Sequence, residues 1–457
     1  MIRIITLAAA ATLLLSTGPA AAQGQQHALQ ARYDRALAAG YKALMLCSAI
    51  AHAEANGTTR TPQSVEQWEL TGIQSPLDGI VRTLGYEIVR HDNGTLERVT
   101  VGWDANAEPR AAIHLDGDNG CALNPLGGPS AFYGRPANPA GGRRVDPVAV
   151  RNAPAALAPV FAAATGNGYG EGTRTTAVVV QRGGTIIGEQ YAESFGPVTP
   201  QRTWSVAKSI AATLVGAAVQ RGAAGVEESA GLGYAEGDPR RAITIDDLLR
   251  MTSGRYSDTP GNRTDPLYWG GASIHEVALD WPLIDWPGTT FRYANNDTLA
   301  AVAAIAPTFD DHSPSDFFAK LGMNHTVAET DWRGSYILSS QVWTTARDLA
   351  RFGQLYLSDG KLLQGTRILP EGWVKYVSTP SGPQPDGPFG YGAGFWLMNR
   401  SEGVPPDTIA AFGNRGQYVV IVPSRQVVIV RRGEDPVGSS FDIAALTRDV
   451  LAALPAE

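Results

Sequence analysis

A mixed α/β fold is predicted for this chain, with one sheet drawn from distant stretches of sequence, helices around it and a helical insertion within it, behind a small α+β N-terminal domain. Three observations predict it. Strand-like runs occur at 175–191 and again at 394–431. The stretch between them reads as mainly helical, and a Pro/Gly-dense segment at 126–149 divides all of this from an earlier part with its own helix and strands.

Residues 1–22 open with Arg3, continue as an apolar run at 4–15, and end in Ala20, Ala21 and Ala22 before Gln23. A charge, a greasy core and small residues, in that order, make a secretory signal, with cleavage expected near Ala22. The run is shorter than the roughly 20 residues of a permanent anchor. No other stretch reads as a membrane span, so a soluble periplasmic or secreted protein of about 435 residues is expected.

The N-terminal domain is expected over 23–125. A helix is predicted at 28–54, then strands at 86–90 and 96–103 around an Asn93-Gly94 turn, where Asn-Gly favours positive φ. A third strand at 111–115 leads into Cys121. Cys47 and Cys121 are the two cysteines, and in an oxidising compartment a disulfide is the default, two buried thiols the alternative. The linker at 126–149 carries Phe132 and Tyr133, which could anchor it to a neighbour.

The larger domain is expected over 150–457. Strands at 175–181 and 185–191 flank an Arg182-Gly183-Gly184 turn, a hairpin signal. Later strands are predicted at 394–398, 418–422 and 426–431, and helices at 243–250 (capped by Thr244), 345–357, 371–377 and 441–454. No internal repeat is evident.

Net charge is -7, and no Lys/Arg cluster forms a phosphate-tracking face, which argues against a nucleic-acid partner. Seven histidines are scattered without metal-ligand spacing. Gly-x-Ser-x-Gly, Walker and dinucleotide motifs are absent from the sequence. No metal and no cofactor are expected, and oligomeric state leaves no mark in the sequence.

The chemistry concentrates in five segments. Ser205 and Lys208 lie three apart at the head of an apolar, Ala-rich helix, so both face one way. A serine hydroxyl becomes a nucleophile only when a base takes its proton, and a buried lysine can serve once desolvation lowers its pKa. The helix N-terminus offers free N–H groups to an oxyanion. Taken alone, Ser-x-x-Lys is a chance-prone pair. Tyr293, after Pro287-Gly288 and two residues before Asn295, could relay a proton; the plain alternative is a core tyrosine. Met251-Thr252-Ser253-Gly254 supplies a turn that could border a cleft, and Gly413-Asn414-Arg415-Gly416-Gln417 gives closely spaced glycines at a strand entrance. Trp204, Trp269, Trp281, Trp286, Tyr256 and Tyr268 could line an apolar pocket or fill the core.

In this order, Ser-Val-Ala-Lys, Met-Thr-Ser-Gly, Pro-Gly-x-x-Phe-x-Tyr-x-Asn, the 345–353 segment Thr-Ala-Arg-Asp-Leu-Ala-Arg-Phe-Gly and Gly-x-x-Gly-Gln resemble the serine β-lactamase superfamily. The likeness spans about 150–455 and is nearest to its class C-related esterases, amidases and 6-aminohexanoate-oligomer hydrolases. It implies a β-lactamase/transpeptidase-like antiparallel sheet flanked by helices. It also implies Ser205 as the acylated residue, Lys208 as base, Tyr293 as proton shuttle, Asn295 as supporting hydrogen-bonder, and the N–H groups of Ser205 and Asn414 as oxyanion hole. One departure stands out. Where many relatives carry Lys-Thr-Gly, this sequence has Ala411-Phe412-Gly413, without the cation that holds a substrate carboxylate. Arg415 either stands in for it or is a surface cation. The sequence thus points to an exported serine hydrolase of a small ester or amide. The alternatives are a peptidase, a β-lactamase or DD-peptidase, or a catalytically silent ligand-binding protein.

Overall fold

The computed structural model describes residues 18–115, 119–128, 149–256 and 266–455, with side chains from Gln23 onward. Most of the expected signal at 1–22 and most of the linker, with Phe132 and Tyr133, lie outside the described residues.

The N-terminal part is built on α1 (Gly18–Ala55), whose Ala-rich stretch at 36–53 is buried on every side. By length and composition, 23–55 could cross a membrane, which the sequence reading missed. Its apolar window is almost wholly buried within the protein, as in a core helix. Short helices α2 (Pro62–Trp68) and α3 (Leu77–Val81) follow, then an antiparallel sheet of β1 (Tyr86–Arg90), β2 (Leu96–Val101), β3 (Arg110–His114) and β4 (Cys121–Leu123) in sequence order. Gly94 sits at φ 85° in the β1–β2 turn, the left-handed conformation that the Asn-Gly pair suggested. Cys47 on α1 and Cys121 on β4 are bridged, with Cα atoms 6.1 Å apart.

The second sheet spans the rest of the molecule. After α4 (Ala158–Thr165), β5 (Thr175–Arg182) and β6 (Thr185–Tyr191) form a hairpin with Gly183 and Gly184 both at positive φ. Next come β7 (Gln201–Arg202), the buried helix α5 (Val206–Gln220), α6 (Ile245–Leu249), α7 (Asn295–Ile305) and α8 (Pro314–Lys320). The insertion ends with β8 (Val327–Ala328), β9 (Val342–Thr344), α9 (Ala346–Leu357) and α10 (Trp373–Ser378). The chain then returns through β10 (Gly390–Tyr391), β11 (Trp396–Leu397), β12 (Ile409–Gly413), β13 (Gln417–Val422) and β14 (Val427–Gly433) to α11 (Ile443–Ala453).

The order β10-β11-β12-β13-β14-β5-β6 pairs the late strand β14 with the early strand β5, every neighbour antiparallel. β14 is buried along its whole length, so its Val/Ile run does not alternate with polar residues. Its side chains still alternate between cores. Val428 and Val430 join α5 and α9 on one face, while Val427 and Ile429 join α4 and α11 on the other. A small antiparallel sheet, β7-β9-β8, has its first strand shortly before α5 in the chain.

A third core runs between the N-terminal part and the insertion. α1 and β2–β4 share it with Trp204, Tyr268, Trp269, Leu299 and Trp343. Arg110 donates to the carbonyls of Ala36, Asn124, Trp269 and Gly270. Glu329, from the insertion, accepts from His52 and the Cys121 N–H on one oxygen and from Gln341 and Trp343 on the other.

Candidate active site

α5 begins immediately after Ser205, which occupies its N-cap with helical φ and ψ of -67° and -4°. The preceding residue, Trp204, is held at φ 49°, an uncommon state for a bulky residue. A kink followed at once by a helix presents the Ser205 hydroxyl at the end of the sheet, half-buried. β12 closes against it. A Cβ on Gly413 would come within 2.4 Å of Thr203 O and 3.1 Å of Ser205 N, so only glycine fits that approach.

Lys208 projects from the first turn of α5 on the same side as Ser205, its Nζ 3.0 Å from Ser205 Oγ. Its other contacts are Asn295 Oδ1 and the Ser339 carbonyl, the latter at 3.0 Å. Burial lowers its pKa from the ordinary lysine range to about 7. A neutral amine has two N–H bonds and one lone pair. With Asn295 and Ser339 taking the two hydrogens, the lone pair is left for the serine proton.

Tyr293 completes the cluster. Burial raises its pKa to about 12, against hydrogen bonds with Ser205 and the Trp396 side chain that pull the other way. Its ring lies 5.1 Å from Lys208 Nζ. The Met-Thr-Ser-Gly turn, which could border a cleft, bonds to the chain on either side of the tyrosine. The Met251 carbonyl accepts from Arg292 N, and Met251 Sδ accepts from Ala294 N, on either side of Tyr293. Ser253 Oγ donates to Asp297 on the first turn of α7, the helix that starts at Asn295.

Ser205, Lys208, Tyr293 and Asn295 therefore come together as expected. Asn414 lies in the turn just beyond Gly413, exposed, its side chain accepting from Arg415 N. Arg415 fits neither expectation. It is 5% exposed, ion-paired with Glu434, and donates to the carbonyls of Trp68, Thr71 and Gly72. The guanidinium is shared between Glu434, just after β14, and the N-terminal part of the molecule.

The six aromatic residues divide between core and periphery. Trp204, Tyr268 and Trp269 are core; Trp281 packs on Tyr256, and Trp286 is 77% exposed. The rings around the site are Tyr293, Tyr391, Trp396 and Phe412. Trp396 lies 5.3 Å from Tyr293, stacks on Phe412 at 5.8 Å, and meets Tyr391 edge-on at 5.1 Å. Sequence reading missed Trp396, and Tyr-x-x-x-x-Trp before a strand carries no distinctive signal. Ser339 was missed because it acts through its carbonyl, which every residue possesses.

Comparison with known proteins agrees with this geometry. The Beta-lactamase family model matches residues 160–451, well over half of the chain. A 6-aminohexanoate-dimer hydrolase of Paenarthrobacter ureafaciens is 26% identical over 301 residues, covering 58% of this chain and 74% of that protein. A structure assigned provisionally as a 6-aminohexanoate-dimer hydrolase from Bacillus anthracis superposes with a TM-score of 0.52 at 22% identity, over 61% of this chain and 79% of that one. One assigned provisionally as a β-lactamase from Bacteroides dorei gives 0.51 at 21% identity, over 65% and 98%. The two structures share the helix-flanked antiparallel sheet, and the family and the curated relative support hydrolysis as the reaction class. The chain belongs to the Beta-lactamase family.

Proposed function

We propose that this protein is an exported serine hydrolase that cleaves a small ester or amide through an acyl-enzyme on Ser205, with residues 23–125 as an accessory domain. The observation that carries the reading is Lys208, buried and desolvated toward a pKa of about 7, with its two carbonyl partners leaving a lone pair for Ser205. The disulfide and the apolar N-terminus support export.

In this mechanism Lys208 Nζ takes the Ser205 proton as Oγ attacks the carbonyl carbon. The developing oxyanion is met by the N–H groups of Ser205 and Asn414, a pairing that the close approach of Gly413, the residue before Asn414, to Ser205 supports. Tyr293, still protonated because burial raises its pKa, gives its hydrogen to the leaving oxygen or nitrogen and is reprotonated by Lys208. Water then enters by the reverse route, with Lys208 again as base, and releases the acid.

The cleft supports an uncharged substrate. Ala411 stands where relatives place a lysine, and Arg415 is spent on Glu434 and backbone carbonyls. Trp396 and Phe412 offer apolar, aromatic surface, suited to a neutral ester or a linear amide of the kind in the curated relative's name. The test is fluorophosphonate labelling together with p-nitrophenyl esters, linear amides and a chromogenic cephalosporin. A covalent adduct at Ser205 and a burst with the activated ester are expected. Equal labelling of wild type and Ser205→Ala would sink the reading.

A further inference from the structure

Three residues before the nucleophile stands a buried cation with no counter-ion among the described residues. Arg202 is 1% exposed, yet among the described residues its two terminal nitrogens have no hydrogen-bond partner, and Nε reaches only the Ser340 carbonyl, at 3.4 Å. The carboxylates whose fields reach it, Glu329 and Glu434, are both bonded elsewhere. What surrounds the guanidinium is aromatic: its Cζ lies 3.7 Å from the Trp204 ring centroid and 5.2 Å from that of Tyr268. A desolvated, half-satisfied cation lowers stability unless something offsets it, and cation–π contact returns only part of that. An arrangement of this kind, placed beside a nucleophile, calls for a functional reason.

The two rings supply one. Trp204 is the residue at φ 49° that turns the chain into Ser205. Tyr268 bonds through its hydroxyl to Ser339 Oγ at 3.0 Å, and the Ser339 carbonyl is one of the acceptors that orient Lys208. Arg202 therefore touches, on one side, the residue that aims the nucleophile and, on the other, the tyrosine that fixes the acceptor of the base. Both rings also belong to the core shared with α1, where Arg110 ties down the carbonyls of Trp269 and Gly270 next to Tyr268.

We infer that Arg202 is a positioning residue for the Ser205–Lys208 pair, clamping Trp204 and Tyr268 against the N-terminal part of the molecule. That part is then a working support of the active site. This rests on the acyl-enzyme reading above, and the test separates the two. Arg202→Met and Arg202→Lys are made in the full chain, and fluorophosphonate labelling rate, kcat per titrated site, its pH profile and melting temperature are measured.

Arg202→Met should label about 100-fold more slowly, the scale expected of a misplaced catalytic group. Its melting temperature should be no lower than that of wild type, because a poorly satisfied buried charge has gone. The acid limb of its pH profile should move, because Lys208 loses its fixed acceptor. Arg202→Lys should recover part of the rate. If Arg202→Met labels within about twofold of wild type, or loses only folded protein while kcat per titrated site is unchanged, the inference is wrong. Absence of labelling in wild type would instead sink the acyl-enzyme reading and this inference with it.

Discussion

Lys208 Nζ lies 3.0 Å from Ser205 Oγ, with carbonyl oxygens and no carboxylate among its other partners in the described residues. A carboxylate would hold the ammonium form. Without one, burial alone sets the protonation state.

The pH dependence follows. Lys208 is the free base above about pH 7, so acylation should rise through an apparent pKa near 7 and then level off. Tyr293, pushed up to about 12, keeps its proton, so no alkaline limb from it should appear below about pH 10. Lys208→Ala should lose about 10²–10⁴ in acylation rate and abolish the limb. The unfolded chain binds the Lys208 proton up to about 10.5, whereas the folded one releases it near 7. This group therefore makes stability rise with pH between those values. Denaturation of wild type and Lys208→Ala at pH 7 and pH 10 reads that difference.

Tyr293→Phe should separate substrates by leaving group. A p-nitrophenolate departs without a proton, so its acylation should fall by about tenfold or less. An alkyl amide must be protonated to leave and should fall by about 10²–10⁴. Equal losses on both would remove Tyr293 from the proton path.

Gly413→Ala tests the close approach of β12 to the nucleophile. The added methyl meets Thr203 O at 2.4 Å, so either β12 or the Thr203–Ser205 turn must retreat. The turn carrying Asn414 moves with it. A loss of about 10²–10³ in kcat is expected, the scale of one oxyanion donor, with the fold retained by circular dichroism.

Glu329→Gln tests the joint between the N-terminal part and the insertion. The carboxylate accepts four hydrogen bonds, and an amide replaces one pair of acceptor sites with donors that face donors. A loss of about 1–3 kcal/mol is expected in urea denaturation, the scale of leaving a buried donor unsatisfied.

Much of this architecture could be read from local sequence. Asn93-Gly94 and Gly183-Gly184 forced their hairpins because positive φ is nearly a glycine property, and Thr244 signalled a cap, which in α6 is completed by Asp247 as a capping box. Ser205 and Lys208 were legible because three residues on one helix fix a direction. The rest depends on what folds against what. No local pattern says that Ser339 lends a carbonyl to Lys208, or that Trp396, from a two-residue strand, reaches Tyr293. Arg415 was ambiguous because its partner Glu434 lies on the far side of a hairpin, and its carbonyl partners lie some 340 positions earlier. Trp204 and Tyr268 resembled pocket aromatics because the helix that covers them, α1, sits far away in sequence.

Arg415 also links two loops. Its side chain is bonded to the loop after α2, Gly72 O accepts from Val437 N, and a Cβ on Gly72 would strike Pro436. The turn at 414–416 and the loop at 68–72 should therefore open in one event, before the valine-rich strands separate. In hydrogen exchange, their amides should share one opening free energy, lower than that of β14. On heating, loss of turnover should precede loss of the sheet, and it should reverse on cooling for as long as β14 stays paired with β5.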